Sequence, residues 1–358
     1  MMDPQAWRRF AERLGVQHPI IQAPMAGGLS PPALVAAVAD AGGLGSLGAA
    51  DAPPEAIRQQ AKAVRARTSR PYAINLFAPR ASVAPGDPQA VLRLLERFHA
   101  ELGLPAPQVA EAPLPDFMQQ VEVVLEAAPT VFSFTFGIPP AAVLNEVRAR
   151  GILIIGTATN VREALALEAA GVDAIVAQGS EAGGHRGSFG GPFEAGLVGT
   201  LALVPQVVDA VRLPVIASGG IMDGRGIAAA RVLGAAGVQL GTAFLRCQEC
   251  GTVPAHRELL REARDESSRI TRALTGRPAR AIPNVLTTTL EEAGAFLPYP
   301  QLHGATRALK VAASQRGDTR YMALWAGQGV GLSRDGSAAD LVRTLVAETD
   351  AALAAARG

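Results

Sequence analysis

The chain has 358 residues, with 33 Lys and Arg against 32 Asp and Glu, for a formal net charge of +1, and the two signs are interspersed. This balance leaves no basic face for nucleic acid, and no apolar run approaches the ~20 residues that span a bilayer, so neither a nucleic-acid nor a membrane partner is expected. Two cysteines make no disulfide framework, and an apolar share of 49% with only 4% aromatics suits buried Val-, Ile-, Leu- and Ala-rich parallel strands covered by helices.

Residues 1–15, from Met1 on, carry Arg8, Arg9, Glu12 and Arg13 without an apolar h-region. They read as an amphipathic helix that closes the bottom of a barrel, not as a secretory signal. With unpaired cysteines, a cytoplasmic setting is expected. Beyond this helix, short runs rich in Ile, Val and Leu alternate with helical patterns, the signature of βαβ units. The predicted strands are 20–25, 44–49, 72–78, 131–137, 153–159, 174–179, 215–221 and 238–245. Helical patterns cover 32–41, 55–67, 141–150, 161–170, 203–211 and 226–233, with starts and stops marked as at Pro32 and Gly42.

Eight repeats without a skipped helix predict an α/β fold of the (β/α)8 TIM-barrel type rather than an open doubly wound sheet. Two segments break the rhythm. Residues 79–130 form a helical insertion with joints at Pro105, Pro107, Pro113 and Pro115, holding more helix than one crossover needs. Residues 250–330 are expected to form a helical lid or appendage after the last strand. The predicted organisation is a barrel over 1–249, that lid over 250–330, and a C-terminal helix within 331–358 packed back on the barrel. Long excursions above a barrel usually form lids or substrate walls.

Gly43, Gly45 and Gly48 match G-x-G-x-x-G. That fingerprint binds a dinucleotide only when it follows a strand and opens a helix. Here a helical pattern ends at Gly42 and the glycines fall in the next strand, so a Rossmann site is not expected.

The ends of the last two strands carry more. Ser218, Gly219 and Gly220 precede Asp223-Gly224-Arg225-Gly226 and a helix, while Gln239, Leu240, Gly241 and Thr242 end the eighth strand. Loops after strands seven and eight of barrels commonly bind phosphate. Glycine lets backbone N–H groups approach an anion, a helix N-terminus adds positive potential, and Thr242 offers a hydroxyl. The phosphate belongs either to FMN or to a phosphorylated substrate.

The sixth strand ends at Gln178, followed by Gly-Ser-Glu-Ala-Gly-Gly-His-Arg-Gly through Gly187. An amide at Gln178 suits a flavin pyrimidine edge because it donates and accepts together. Gly183 and Gly184 allow backbone to lie against a planar ring, and His185, on a loop beside the mouth, is a candidate base.

With that run in view, the chain resembles the nitronate monooxygenase family, formerly called 2-nitropropane dioxygenases. The likeness covers nearly the whole chain. It is carried by Pro19-Ile20-Ile21-Gln22-Ala23-Pro24-Met25-Ala26-Gly27-Gly28, Asn75-Leu76-Phe77, Ser133-Phe134-Thr135-Phe136-Gly137, the Gln178–Gly187 run, Pro298-Tyr299-Pro300 and Trp325-Ala326-Gly327-Gln328-Gly329. The resemblance implies an oxidoreductase with non-covalent FMN, contacted by Asn75, Gln178, Gly183, Gly220 and Gln239 to Thr242, with the Ala23, Pro24 and Met25 backbone beside the ring system. It implies His185 as catalytic base or substrate-orienting group. The implied reaction is oxidative denitrification of an alkyl nitronate with O2 to a carbonyl compound and nitrite, without NAD(P)H or metal, by a monomer or homodimer.

The chain departs from the family in one place. A tyrosine is expected four residues after Tyr299 and a lysine four further on, and His303 and Arg307 stand there. Arg307 keeps the charge but not the geometry; His303 is either a second titrating group near the flavin or an exposed lid residue. Tyr299 and Gln328 are candidate substrate contacts. The alternative activity is that of an NAD(P)H-dependent FMN reductase acting on quinones or an enoyl thioester. Flavin storage without turnover and sugar-phosphate chemistry are further readings.

Weaker signals remain. Cys247 and Cys250 spell C-x-x-C without a second pair or a nearby His, which argues against zinc. His18 falls at the bottom of the barrel, where a stabilising role is expected. His99 and His256, in charged helical surroundings, are expected to be solvated.

Overall fold

The predicted apolar runs fold as an eight-stranded parallel sheet whose first strand lies beside its last. The strands are Ile20–Gln22, Gly45–Gly48, Tyr72–Phe77, Val131–Thr135, Leu153–Ala158, Ala174–Gln178, Val215–Ser218 and Gly237–Leu240. In this computed structural model, which describes residues 5–79, 86–109 and 114–356, the second to eighth strands pair in sequence. Met1 and Pro113 lie outside the described residues. The first strand pairs with the eighth, Ile21 opposite Gln239, and meets the second through the bridges Ile21–Leu44 and Met25–Leu47. The ring closes, as in a TIM barrel.

Closure depends on a polar seam. Where the first two strands share few ladder bonds, the fully buried Gln22 accepts from the Ser46 amide at 2.9 Å and donates to Ser30 Oγ at 2.9 Å. The glycines of the false dinucleotide motif have a packing role. A Cβ on Gly45 would lie 2.2 Å from the Val35 carbonyl oxygen, so helix Pro32–Asp40 approaches the strand too closely for any side chain.

Several strands end sooner than predicted. Pro24, Gly219 to Ile221, and Gly241 to Leu245 leave the ladder at the C-terminal ends of their strands, while Ala23 keeps one bond to Leu240 and Met25 its bridge to Leu47. Proline lacks the amide a ladder needs, and Gly219 and Gly220 take φ of 115° and 70°, outside the β region. These residues become the floor and rim of a cavity.

Most helices fall within a few residues of their predicted bounds, as in Pro54–Arg65, Ala141–Ala149, Val161–Ala169 and Gly224–Val232. Helix Thr200–Ala210 starts three residues earlier than its apolar pattern. The Glu181 carboxylate accepts from the Thr200 amide at 2.8 Å and the Thr200 hydroxyl at 2.9 Å, a cap supplied from a distant loop. The closing helix, Ala338–Ala355, packs on Gly224–Val232, and the Gly224 amide donates to Glu348 at 3.1 Å. Among the described residues no helix is long and apolar enough to cross a membrane.

The segment after the barrel corrects the prediction of a helical appendage. It holds helices Pro254–Glu262, Val285–Glu292 and Gln301–Arg316, but also strands Arg269–Thr271 and Ala279–Ala281. The second of these pairs antiparallel with Gly184–His185, Ala279 opposite His185 and Arg280 opposite Gly184. The insertion divides between two cores. Helix Gln89–Glu101 places Val91, Leu95 and Phe98 in a lid core with Leu274, Leu286, Leu302 and Leu309. Helix Phe117–Ala127 places Val121 and Val124 in the barrel core as the ordinary crossover. His99 and His256 are buried, not solvated: the helices carrying them turn these positions inward, and His99 Nδ1 bonds the Pro105 carbonyl at 2.6 Å.

The contact at Gly45 is with backbone, which cannot rotate away. Gly45→Ala is expected to cost about 1–3 kcal/mol, the usual range for overpacking, read as a lower urea midpoint at unchanged m-value.

Candidate active site

A cavity of about 1100 Å³ opens at the C-terminal ends of the strands, between barrel and lid. Its floor is made by the strand ends and the residues just beyond them. Ala23, Pro24 and Met25 come from the first strand, Ser218, Gly219 and Gly220 from the seventh, and Gln239, Leu240, Gly241 and Thr242 from the eighth. Asn75, Gln178, Gly183, Gly184 and His185 line it as well. Every residue proposed from sequence to contact a cofactor therefore borders one space.

At the strand-seven and strand-eight ends, the amides of Gly219, Gly220 and Gly241 donate to no acceptor among the described residues. The Thr242 hydroxyl oxygen accepts from the Gly327 amide at 2.9 Å, which leaves its hydrogen to donate. Together they set unpaired hydrogen-bond donors along the cavity. The neighbouring helix N-terminus does not join them, contrary to expectation. Asp223 caps helix Gly224–Val232, accepting from the Arg225 and Gly226 amides at 3.0 and 3.2 Å.

The run after Gln178 is locked by its own side chains. The Gln178 amide donates to the His185 carbonyl at 3.0 Å and accepts from the Gly187 amide at 2.8 Å, so it braces the loop as well as facing the cavity. Arg186 is 1% exposed and donates to the carbonyls of Gly179 at 2.6 Å and of Gln178 and Gly196, both at 2.9 Å. Burial pushes this guanidinium down to about 10. Glu163, also buried, accepts from the Phe189 and Gly190 amides at 2.6 and 2.7 Å. A buried ion needs such partners to be tolerated.

His185 is on a short strand, not the loop expected, and rings surround it. The centroids of Trp325, Phe136 and Phe77 lie 5.3, 5.6 and 6.2 Å from that of the imidazole. The Arg277 guanidinium sits 3.6 Å over the Phe136 ring. Burial first, then the charges of Arg277, His303 and Lys310, push the imidazole down to about 3, so it is neutral at physiological pH. Phe136 holds a φ of 78°, unusual for a bulky residue and found where surrounding structure enforces it.

The departures from the family pattern resolve on helix Gln301–Arg316. His303 lines the cavity, pushed down to about 4 by burial and by Lys310 and Arg307. Arg307 borders the cavity but is exposed, whereas Lys310, three residues on, points inward and donates to the Leu274 carbonyl at 2.7 Å. Burial pushes Lys310 down to about 7. Tyr299 packs its ring 6.1 Å from that of His303, outside the cavity lining. Gln328 is exposed and also outside the lining; its contribution is a backbone amide donated to the Glu181 carbonyl at 2.9 Å.

Sequence reasoning missed Lys310, Thr275 and Arg277. Helical periodicity from Arg307 points to Lys310, but nothing local marks the other two. Cys247 and Cys250 are buried, free thiols, with Cys247 pushed up to about 12 by burial, and Cys250 also raised by burial.

Four histidines have values depressed mainly by burial: His18, and further down His185 to about 3 and His256 and His303 each to about 4. The unfolded chain takes up protons near pH 6.5 that the folded chain refuses. Their contribution to stability is therefore complete above pH 6.5 and is lost as pH falls from 6.5 towards 4. Melting temperature is expected to drop across that window, and His256→Leu to flatten the drop; equal slopes in the two proteins would contradict this.

The nitronate monooxygenase family model matches residues 9–348. The chain is 44% identical over 346 residues to a nitronate monooxygenase of Pseudomonas aeruginosa, covering 95% of this chain and 98% of that one. A nitroalkane oxidase structure from Streptomyces ansochromogenes superimposes with a TM-score of 0.89 at 40% identity, covering 97% and 99% of the two chains. FabK from Thermotoga maritima gives 0.78 at 28% identity, with 98% of each covered. With the match running nearly end to end, the chain belongs to the nitronate monooxygenase family.

Proposed function

We propose that this chain carries out FMN-dependent oxidative denitrification of alkyl nitronates with O2, yielding a carbonyl compound and nitrite. The observation that carries the proposal is the union, in one cavity, of unpartnered amides at the strand-seven and strand-eight ends with a neutral His185 beneath a cationic lid wall. The amides of Gly219, Gly220 and Gly241 and the Thr242 hydroxyl fit a phosphate. Ala23 to Met25 and Gly183–Gly184 offer flat backbone for a ring system. FMN, when bound there, supplies the electron acceptor.

The protein's own groups do the rest. A nitronate is an anion, and the Arg307 guanidinium at the rim, with Lys310 protonated in part near pH 7, gives the lid side of the cavity positive potential. Phe77, Phe136 and Trp325 exclude water around the imidazole, which strengthens each polar contact made there. A nitronate already lacks its α-proton, so His185 need only orient it. A neutral nitroalkane would require a base, a role an uncharged imidazole fills only with a lone pair facing the cavity.

The purified protein is expected to be yellow. Mixed anaerobically with ethyl nitronate its flavin band should bleach quickly, and NADH should leave it unchanged. Rapid bleaching by NADH with an inert nitronate would replace this reading by a reductase. His185→Asn is expected to retain FMN and lose about tenfold or more in kcat/KM with nitronate, the cost of one orienting hydrogen bond. Gly220→Val, at a φ of 70°, is expected to be purified with most of its flavin lost.

A further inference from the structure

We infer that Thr275 is a positioning residue that fixes the tautomer of His185, so that the imidazole meets its ligand as a hydrogen-bond donor through Nδ1. The inference rests on the proposed function only for the identity of that ligand.

Thr275 lies between the two lid strands and is 2% exposed. Its Oγ1 is 2.9 Å from His185 Nε2 and accepts from the Arg277 amide at 3.3 Å. Among the described residues the hydroxyl has no acceptor besides Nε2. Were Nε2 protonated, Thr275 would receive two N–H groups while its own hydrogen had no acceptor among the described residues, only the cavity that Thr275 also lines. Donation from Thr275 to Nε2 satisfies all three groups at once. In a neutral ring the remaining proton is then on Nδ1.

Nδ1 makes no hydrogen bond within the described protein and is not sealed off, and His185 lines the cavity. The ring therefore presents N–H to whatever enters. The surroundings favour this neutral form. Three aromatic rings enclose the imidazole, and the Arg277 cation stacks on one of them, so a second positive charge is unwelcome there; the depressed value near 3 agrees. A nitronate carries its negative charge on two acceptor oxygens, for which an N–H is the complementary partner. The same tautomer has no lone pair facing the cavity, which disfavours proton abstraction from a neutral nitroalkane.

The test uses flavin-loaded protein labelled with 15N-histidine, read by two-bond 1H–15N correlation, with His185→Asn identifying the His185 signals. Wild type at pH 7 should show the Nδ1–H form. Thr275→Val should give a mixture of both tautomers and about tenfold lower kcat/KM with preformed nitronate, and Thr275→Ser should restore both. An Nε2–H form in wild type, or an unchanged Nδ1–H form in Thr275→Val, would overturn the inference. A merely structural threonine would lower activity without moving the tautomer. If the valine protein does not fold, the wild-type spectrum still decides. Failure of wild type to oxidise nitronate would sink the proposed function, not this inference, since the tautomer is read without turnover.

Discussion

An antiparallel pairing of two residues, Gly184 and His185 against Arg280 and Ala279, joins the barrel to the segment that covers it. The loop after the sixth strand must leave the sheet to reach this partner, and the rest of the site follows from that departure. Gln178 and Arg186 tie the loop's two ends to its own backbone, while Glu163 and Glu181 hold the segments beyond it. The fixed loop sets the imidazole between the barrel floor and the lid. It also brings the Glu181 carbonyl to the Gln328 amide, so the chain's last loop is held by the same frame.

The frame contains polar groups that water would otherwise solvate. Arg186 is nearly inaccessible and has carbonyls rather than a carboxylate as its hydrogen-bond partners. Lys310, too, donates to a carbonyl, on the far side of the cavity. Interactions among such groups are strong because the local dielectric is low, and unsatisfied ones are costly for the same reason. A site assembled this way is rigid before a ligand arrives, and donors fixed in advance need little reorganisation when negative charge enters. The unpartnered amides and the neutral ring give the cavity two distinct polar features.

The lid has its own core, and this explains the over-long insertion. Helix Gln89–Glu101 belongs with Leu274, Leu286 and Leu302, although five barrel strands separate it from them in sequence. Covering the barrel mouth thus recruits chain from both before and after the last five strands. It also explains why a helix carrying charged residues buries His99: its inward face meets this second core, whereas the helix of His256 places Leu260 in the barrel core.

The sequence determined the barrel, because eight apolar runs with intervening helical patterns have few other ways to bury themselves, and it marked the cavity floor, because glycines and proline at strand ends are local signals. It also marked His185, through the run that contains it. Tertiary structure alone decided the rest. The capping of Thr200 by Glu181, the bond from Thr275 to His185 and the stacking of Arg277 on Phe136 join positions far apart in sequence, or depend on a rotamer and a turn that no local pattern encodes. The inward reach of Lys310 in place of Arg307 depends on how one helix is rotated against the lid core. Periodicity reports which face of an element is apolar; it does not report which neighbour that face will meet, and the electrostatics of this site are set by the neighbours.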